Sequence, residues 1–288
     1  MKELEEYLRE QYSSGTAKGY LREIEIYLGN CKEAETASHK DIVNHIGNLR
    51  NRYSNPKTLN RILASIKAYY TYLNQTSQRK DNPAKSIRLR DKQNRDIQLQ
   101  DLFSTEELEN LLSRKERYNL LTIRNKVLTS LLIYQGLKPN ELETITINNI
   151  NLDQGTIHIK SQSKTNGRTL QLKPTQIMLL HQYVHETRQK LNKNPQEEKL
   201  LIGKTGNPMP SEDITKHIKR SFKGMYSPRK VNCQTIRQSV ITNLLKAGND
   251  LRIVQVFAGH KNPGTTEKYK QSNMEALKTA IQQYHPLK

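Results

Sequence analysis

The sequence predicts a mainly α-helical chain in two domains, with one small antiparallel β-hairpin sheet. Three observations carry this. The chain has 288 residues, enough for two compact cores at roughly 100 to 200 residues per domain. Apolar residues recur at spacings of three and four along most of it, the period of helices with one buried face. One stretch, "TIHIKSQSKTNGRTLQL" (156–172), instead alternates with period two on both sides of an Asn-Gly pair, as a hairpin does.

The first domain, 1–78, reads as a bundle of four helices: "KELEEYLREQ" (2–11), "TAKGYLREIEIYLGN" (16–30), "HKDIVNHIGNLRNR" (39–52) and "PKTLNRILASIKAYYTYLNQ" (56–75). Thr16 and Ser54 are expected as caps near two of the starts, and Pro56 suits a first helical turn. The polar, aperiodic "SQRKDNPAKSIRLRDKQNRDIQLQ" is expected to hold a basic linker over 79–100. The second domain, 101–288, opens at "FSTEELENLL", where Ser104 and Glu107 form a capping box. A helix "IRNKVLTSLLIYQG" closed by Gly136 follows, then a short one from "KPNELETI", the hairpin turning at Asn166-Gly167, and a long helix "PTQIMLLHQYVHETRQKL". Further on, Gly248 ends a helix containing Arg237, Asp250 caps "LRIVQVFAG", and a last amphipathic helix is expected over 273–284.

Forty-seven Lys and Arg against 28 Asp and Glu give a net charge of +19. Such a balance points to a large anionic partner, nucleic acid before anionic membrane. Mean hydropathy is −0.84, no apolar run approaches the roughly 18 residues of a spanning helix, and "MKELEEYLRE" is unlike a signal peptide. A soluble, cytoplasmic protein is expected. Cys31 and Cys233 are the only cysteines, which indicates neither a disulfide framework nor a cysteine zinc site.

The basic residues are not evenly spread. Between Asp41 and Asp81 there is no acid but seven bases, Arg50, Arg52, Lys57, Arg61, Lys67, Arg79 and Lys80. Between Asp213 and Asp250 there is again no acid but eight bases, among them Lys216, Lys219 and Arg220. These are the expected DNA-contacting residues, the alternative being an ordinary solvated helix face.

Arg237 stands inside an apolar helical pattern (Ile236, Val240, Ile241, Leu244, Leu245), so its stem is expected to be partly buried and its guanidinium aimed somewhere specific. The following helix delivers His260 just past its end, and Tyr269 comes nine residues later. By itself this helix pair could also read the major groove as a helix-turn-helix. His181 and His185 lie one turn apart, but Gln182 takes the place of a zincin glutamate and no third ligand is evident, so an exposed helix face is expected there.

The stretch "NLLKAGNDLRIVQVFAGHKNPGTTEKYKQ" (243–271) resembles the C-terminal box of the tyrosine recombinase, or phage integrase, family. The N-terminal bundle, "NPAKSI", "FSTEELENLL", "LLIYQGLKPNEL" and the hairpin follow in that family's order. The resemblance implies a SAM-like core-binding domain and a catalytic domain of the DNA breaking-rejoining fold. It implies a site-specific recombinase acting on double-stranded DNA through a 3′-phosphotyrosyl intermediate, without cofactor or metal. In these terms Tyr269 is the nucleophile, Arg237 the second active-site arginine, His260 the phosphate-side histidine, and Lys164 the general acid for the leaving 5′-oxygen, with Lys160 as its rival. The family's assembly implies a homo-tetramer on DNA, with the helix expected at 273–284 docking on a neighbour.

Two positions depart from the family pattern. Lys138 stands where the first active-site arginine is expected, and Gln234 where a histidine or lysine is usual. Lysine keeps the charge but loses the bidentate fork; glutamine can hydrogen-bond but cannot exchange a proton near neutral pH. A DNA-binding relative that has lost cleavage, with an architectural or regulatory role, is therefore the alternative.

Overall fold

The structure, a computed structural model, describes residues 1–31, 33–76, 78–91, 101–163 and 165–269. The chain divides into two compact units, Met1–Arg95 and Asp96–Lys288.

The first unit is a bundle of α1 (Lys2–Gln11), α2 (Ser14–Asn30), α3 (His39–Arg50) and α4 (Pro56–Gln75). Two caps differ from expectation. Pro56 takes the first helical position, which makes Asn55, not Ser54, the cap, and its side chain accepts from the Lys57 amide at 2.9 Å. Thr16 lies inside α2, which starts two residues earlier; its hydroxyl meets Ser13 Oγ at 3.0 Å. The core holds a buried hydroxyl relay: Tyr70 donates to the Ala34 carbonyl at 2.6 Å and so accepts from Tyr27 at 2.7 Å.

Residues 79–91, read in the sequence as the start of the linker, pack onto this bundle. Ala84 and Ile87 join its core, and Asn82 Nδ2 donates to the Lys67 carbonyl and Thr71 Oγ1, both at 3.0 Å. The periodicity there is lost because the segment is held by single anchor residues, not by a helix face.

The second unit comprises α5 (Thr105–Asn110), α6 (Asn119–Tyr134), α7 (Pro139–Thr144), a sheet of β1 (Ile150–Asn151), β2 (Thr156–Ile159) and β3 (Arg168–Gln171), then α8 (Pro174–Gln182), α9 (Arg188–Leu191), α10 (Ser211–Ser221), α11 (Cys233–Lys246), α12 (Leu251–Ala258) and α13 (Pro263–Glu267). The expected capping box is present: Ser104 Oγ accepts from the Glu107 amide while Glu107 accepts from that of Ser104. α6 is the central rod, its Val127, Leu128, Leu131 and Leu132 fully buried. The long helix after the hairpin is interrupted by a π-helical turn at Tyr183–Thr187, which joins α8 to α9.

The sheet is antiparallel throughout, in the order β1-β2-β3, with Ile157 opposite Leu170 and Ile159 opposite Arg168. Its hairpin does not turn at Asn166-Gly167. The strands stop at Ile159 and Arg168, and Gln162 and Thr165 exchange backbone hydrogen bonds at 2.9 and 3.3 Å, so the chain reverses between them. A two-residue hairpin turn of the Asn-Gly type needs positive φ at both positions; Gly167 does not have it, and the Asn166 amide is turned outward to the Gly259 carbonyl at 2.9 Å. Among the described residues no helix is long and apolar enough to cross a membrane. Lys164, most of the second half of the expected linker, and the expected helix 273–284 lie outside the described residues.

Candidate active site

Arg237 is placed by the way α11 starts and packs. The Asn232 side chain accepts from the Gln234 and Thr235 amides, fixing the first turn, and the apolar face of Ile236, Val240 and Ile241 turns the helix inward. Arg237 is thereby 6% exposed. Its Nη1 donates to the Gly136 carbonyl and its Nη2 to the Ala258 carbonyl, each at 2.6 Å. These carbonyls belong to the C-terminal ends of α6 and α12, where helices leave acceptors unused and the macrodipole is negative. Two helix ends thus solvate a cation that water cannot. Burial still lowers its pKa, with the carboxylate of Glu141 opposing.

His260 follows α12 through a left-handed Gly259 (φ +66), with the His260 amide returning to the Gln255 carbonyl at 3.1 Å. Arg237 Nη2 lies 3.0 Å from His260 Nε2. A guanidinium only donates, so Nε2 is the acceptor, the ring proton sits on Nδ1, and Nδ1 donates to Thr266 Oγ1 at 2.9 Å. Burial, then the charges of Arg237, Lys138 and Arg168, push the imidazole down to about 4. His260 is neutral at pH 7.

Tyr269 comes just after α13 and is 8% exposed, packed with Ile241, Val254 and Ala258. Its ring lies nearly parallel to that of His260, centroids 6.3 Å apart at 14°. Burial raises the phenol pKa and Arg237 works against that rise.

Lys138 occupies the N-cap position of α7, ahead of Pro139, and its amide donates to Glu141 Oε2 at 2.9 Å. Glu141 is fully buried and carries a bidentate pair with Arg168, at 2.8 Å to Oε1 and 3.2 Å to Oε2; Arg237 Nη1 is 3.8 Å from Oε2. Burial alone would raise this carboxyl, but the Arg168 hydrogen bonds and charge, the Lys138 amide and Arg237 hold it below the usual carboxylate range. Two guanidinium groups on one buried carboxylate leave the floor of the site positive. Arg168 was not singled out in the sequence. The sign was its place in the alternation: Arg168, Leu170 and Leu172 share the inward phase of β3 and the residue after it.

Lys138, Gln234, Arg237, His260 and Tyr269 line one cleft of ≈ 1450 Å³, together with Lys216, Lys219 and Arg220 of α10. Gln234 is exposed in the first turn of α11. Lys160 is exposed just beyond β2. In the first unit, Arg52, Lys57 and Lys80 are exposed, whereas Arg50 pairs with Asp91 at 2.5 Å and Arg61 with Glu23 at 2.7 Å. Arg79 binds Asp81 and the Glu35 carbonyl and lies over the Tyr70 ring. Lys67 donates to the Ile87 carbonyl at 2.6 Å. His181 and His185 are exposed with their rings 4.4 Å apart, and no group among the described residues could hold a metal ion.

Residues 102–276 match the model of the phage integrase family, and residues 1–77 match the phage integrase N-terminal SAM-like domain. The chain is 27% identical over 281 residues to a tyrosine recombinase XerD of Oceanobacillus iheyensis, covering 95% of this chain and 93% of that one. It is 26% identical over 294 residues to the XerD of Staphylococcus aureus, covering 98% of both. Among solved structures its fold is similar to the Tn1549 transposon integrase in complex with transposon right end DNA (TM-score 0.69, 17% identity, 98% of this chain and 99% of that one). It is likewise similar to the XerH site-specific recombinase bound to its difH substrate (TM-score 0.67, 20% identity, 90% and 76%). A family model spanning most of the chain, on a fold that brings the expected arginine, histidine and tyrosine into one basic cleft, fixes the relationship: the chain belongs to the phage integrase family.

Proposed function

We propose that this protein is a site-specific DNA recombinase that cleaves and rejoins strands through a 3′-phosphotyrosyl intermediate, working as a homo-tetramer assembled on double-stranded DNA. The observation that supports this most is the meeting of Arg237, His260 and Tyr269 with Lys138 in one cleft, from elements far apart in sequence.

The chemistry follows from the groups. Arg237 and Lys138 hold the non-bridging oxygens of the scissile phosphate and offset the charge that grows in the transition state. Tyr269 Oη attacks phosphorus as its proton passes to His260 Nε2, a site that is neutral at pH 7 and is released when the Arg237 guanidinium turns onto the phosphate. The P–O5′ bond breaks, its electron pair leaves on O5′, and Lys164 supplies the proton. The phosphotyrosine keeps the bond energy, so a second 5′-hydroxyl can reverse the attack without a nucleotide cofactor. Lys216, Lys219 and Arg220 on the cleft, with Arg52, Lys57 and Lys80 of the first unit, supply sequence-independent backbone contacts.

The test is covalent capture. Duplexes from a randomised library, nicked so that the leaving fragment diffuses away, are incubated with the protein, and adducts are isolated under denaturing conditions. Wild type should form an adduct at an enriched sequence and Tyr269→Phe should form none. Tight DNA binding without adduct from wild type would place the chain among cleavage-defective DNA-binding proteins instead.

A further inference from the structure

The hairpin loop 160–167 pairs with itself at the Gln162–Thr165 bridge and touches α7 through Gln162 Nε2, which donates to the Asn140 carbonyl and Thr144 Oγ1 at 3.2 and 3.3 Å. Three further points fasten it toward α12 and the sheet. Thr165 bridges to His260, and the Asn166 amide donates to the Gly259 carbonyl at 2.9 Å. At its root Arg168 forms the last pair of the β2-β3 ladder, opposite Ile159. From there its guanidinium reaches two other elements: Glu141 of α7, by the bidentate pair, and the Phe257 carbonyl at the end of α12, by Nε at 2.6 Å. Its side chain is 2% exposed and that of Glu141 0%.

The approach to α12 is close enough to dictate the residue there. A Cβ on Gly259 would sit 2.6 Å from Arg168 Nη1 and 3.0 Å from the Asn166 carbonyl oxygen. A glycine at 259 is thus required twice, by its positive φ and by the arginine that passes over it. Stability alone is a weak reason for such a pair, because well-packed apolar residues often replace a buried ion pair at no cost. What an apolar pair cannot do is fix an orientation between three elements, which the planar fork does.

Resting on the strand-cleavage reading above, we propose that Arg168 is a positioning residue for proton delivery to the leaving oxygen: by tying β3 to Glu141 and to the end of α12, it sets the hairpin loop against His260. The loop carries Lys164, whose ammonium proton goes to O5′ as the P–O5′ electron pair departs. Arg168 touches neither phosphate nor leaving group, and it acts through the loop it roots.

The experiment compares two captured duplexes of the same sequence, one with the ordinary 5′-bridging oxygen and one with a 5′-bridging sulfur. A thiolate leaves without needing a proton, so a defect in proton delivery disappears on the sulfur duplex. Arg168→Lys keeps a charge beside Glu141 but loses the fork. Arg168→Gln keeps a donor beside Glu141, which retains Arg237 at 3.8 Å, and reads the same ratio if the lysine variant folds poorly. With DNA affinity unchanged, adduct formation on the oxygen duplex should fall about 100-fold or more, the scale of a general acid's contribution, and on the sulfur duplex by less than about fivefold. Equal losses on both duplexes, or no loss on either, would overturn the proposal. Lys164→Ala is run in parallel: if sulfur fails to rescue it, the general-acid reading of Lys164 falls, while the Arg168 ratio still decides whether the hairpin delivers a proton.

Discussion

Replacing Arg237 with lysine keeps the charge and removes the fork, and the structure sets the size of the effect. The guanidinium makes three hydrogen bonds, to the Gly136 and Ala258 carbonyls at 2.6 Å and to His260 Nε2 at 3.0 Å. A lysine ends in one nitrogen and cannot span two helix ends and a ring nitrogen together. Hydrogen bonds to a charged group are worth about 1.5 to 3 kcal/mol each. Loss of two, partly offset by the retained charge near Glu141, predicts a destabilisation of about 2 to 4 kcal/mol. Chemistry should suffer separately, because removing one preorganised donor to a transition-state oxyanion costs roughly 100- to 1000-fold in rate. The adduct assay, run well below the unfolding temperature of the variant, reads the second effect; thermal unfolding reads the first. Adduct formation within about threefold of wild type, with an unchanged unfolding temperature, would mean that the buried fork neither holds the helix ends nor grips phosphate.

Lys138→Arg should raise the cleavage rate about tenfold by restoring a bidentate grip, and Lys138→Ala should lower it; equal rates for all three in single-turnover cleavage would remove Lys138 from the phosphate pocket. His217 and His260 are both held down to about 4 by burial first, against about 6.5 when unfolded. The stability each contributes is therefore fully present above pH ~6.5 and is lost as the pH falls toward 4, on the order of 3 kcal/mol per histidine. Urea unfolding of His217→Gln should accordingly depend less on pH over that window than wild type, and an identical dependence would contradict the burial argument. DNA affinity should fall by about 0.9 log units per log unit of salt for each phosphate neutralised, and Lys219→Ala should reduce that slope by about one contact. Arg79→Ala, whose guanidinium is spent on Asp81 and the Glu35 carbonyl, should leave the slope as it is.

Periodicity made the helices legible because each buries one face of its own. α1 and α4 fall on the residues expected, and α2 and α3 within two. What sequence order could not show is pairing across distance. The stretch between Asp41 and Asp81 has no acid of its own, yet Glu23 arrives from α2 at Arg61 and Asp91 from beyond Asp81 at Arg50. An excess of basic residues along the chain was thus partly neutralised in space, and only a structure separates Lys57 from Arg79. Turn chemistry failed for the same reason at Asn166-Gly167, where a contact with Gly259 outweighs the local preference for a tight hairpin. The motif around His260 and Tyr269 was legible through its resemblance to the C-terminal box of the tyrosine recombinases, and the structure brings both side chains to one cleft with Arg237.

The lysine at position 138 changes what the rest of the cleft must do. A guanidinium has five N–H donors, and Arg237 uses three of them on the protein. Two remain for a phosphate, and a third is freed if His260 Nε2 gives up its bond on taking the phenolic proton. In the proposed mechanism, a point charge at 138 leaves the orientation of the phosphorus for in-line attack to Arg237, whose own orientation is set by the ends of α6 and α12. Those ends meet the hairpin at Gly259 and Arg168, and Arg168 meets Lys138's own helix at Glu141. On that mechanism, the geometry of attack and the geometry of proton delivery both depend on one buried carboxylate, Glu141. A change at Glu141 should disturb both steps together, whereas a change at Arg168 should disturb proton delivery first.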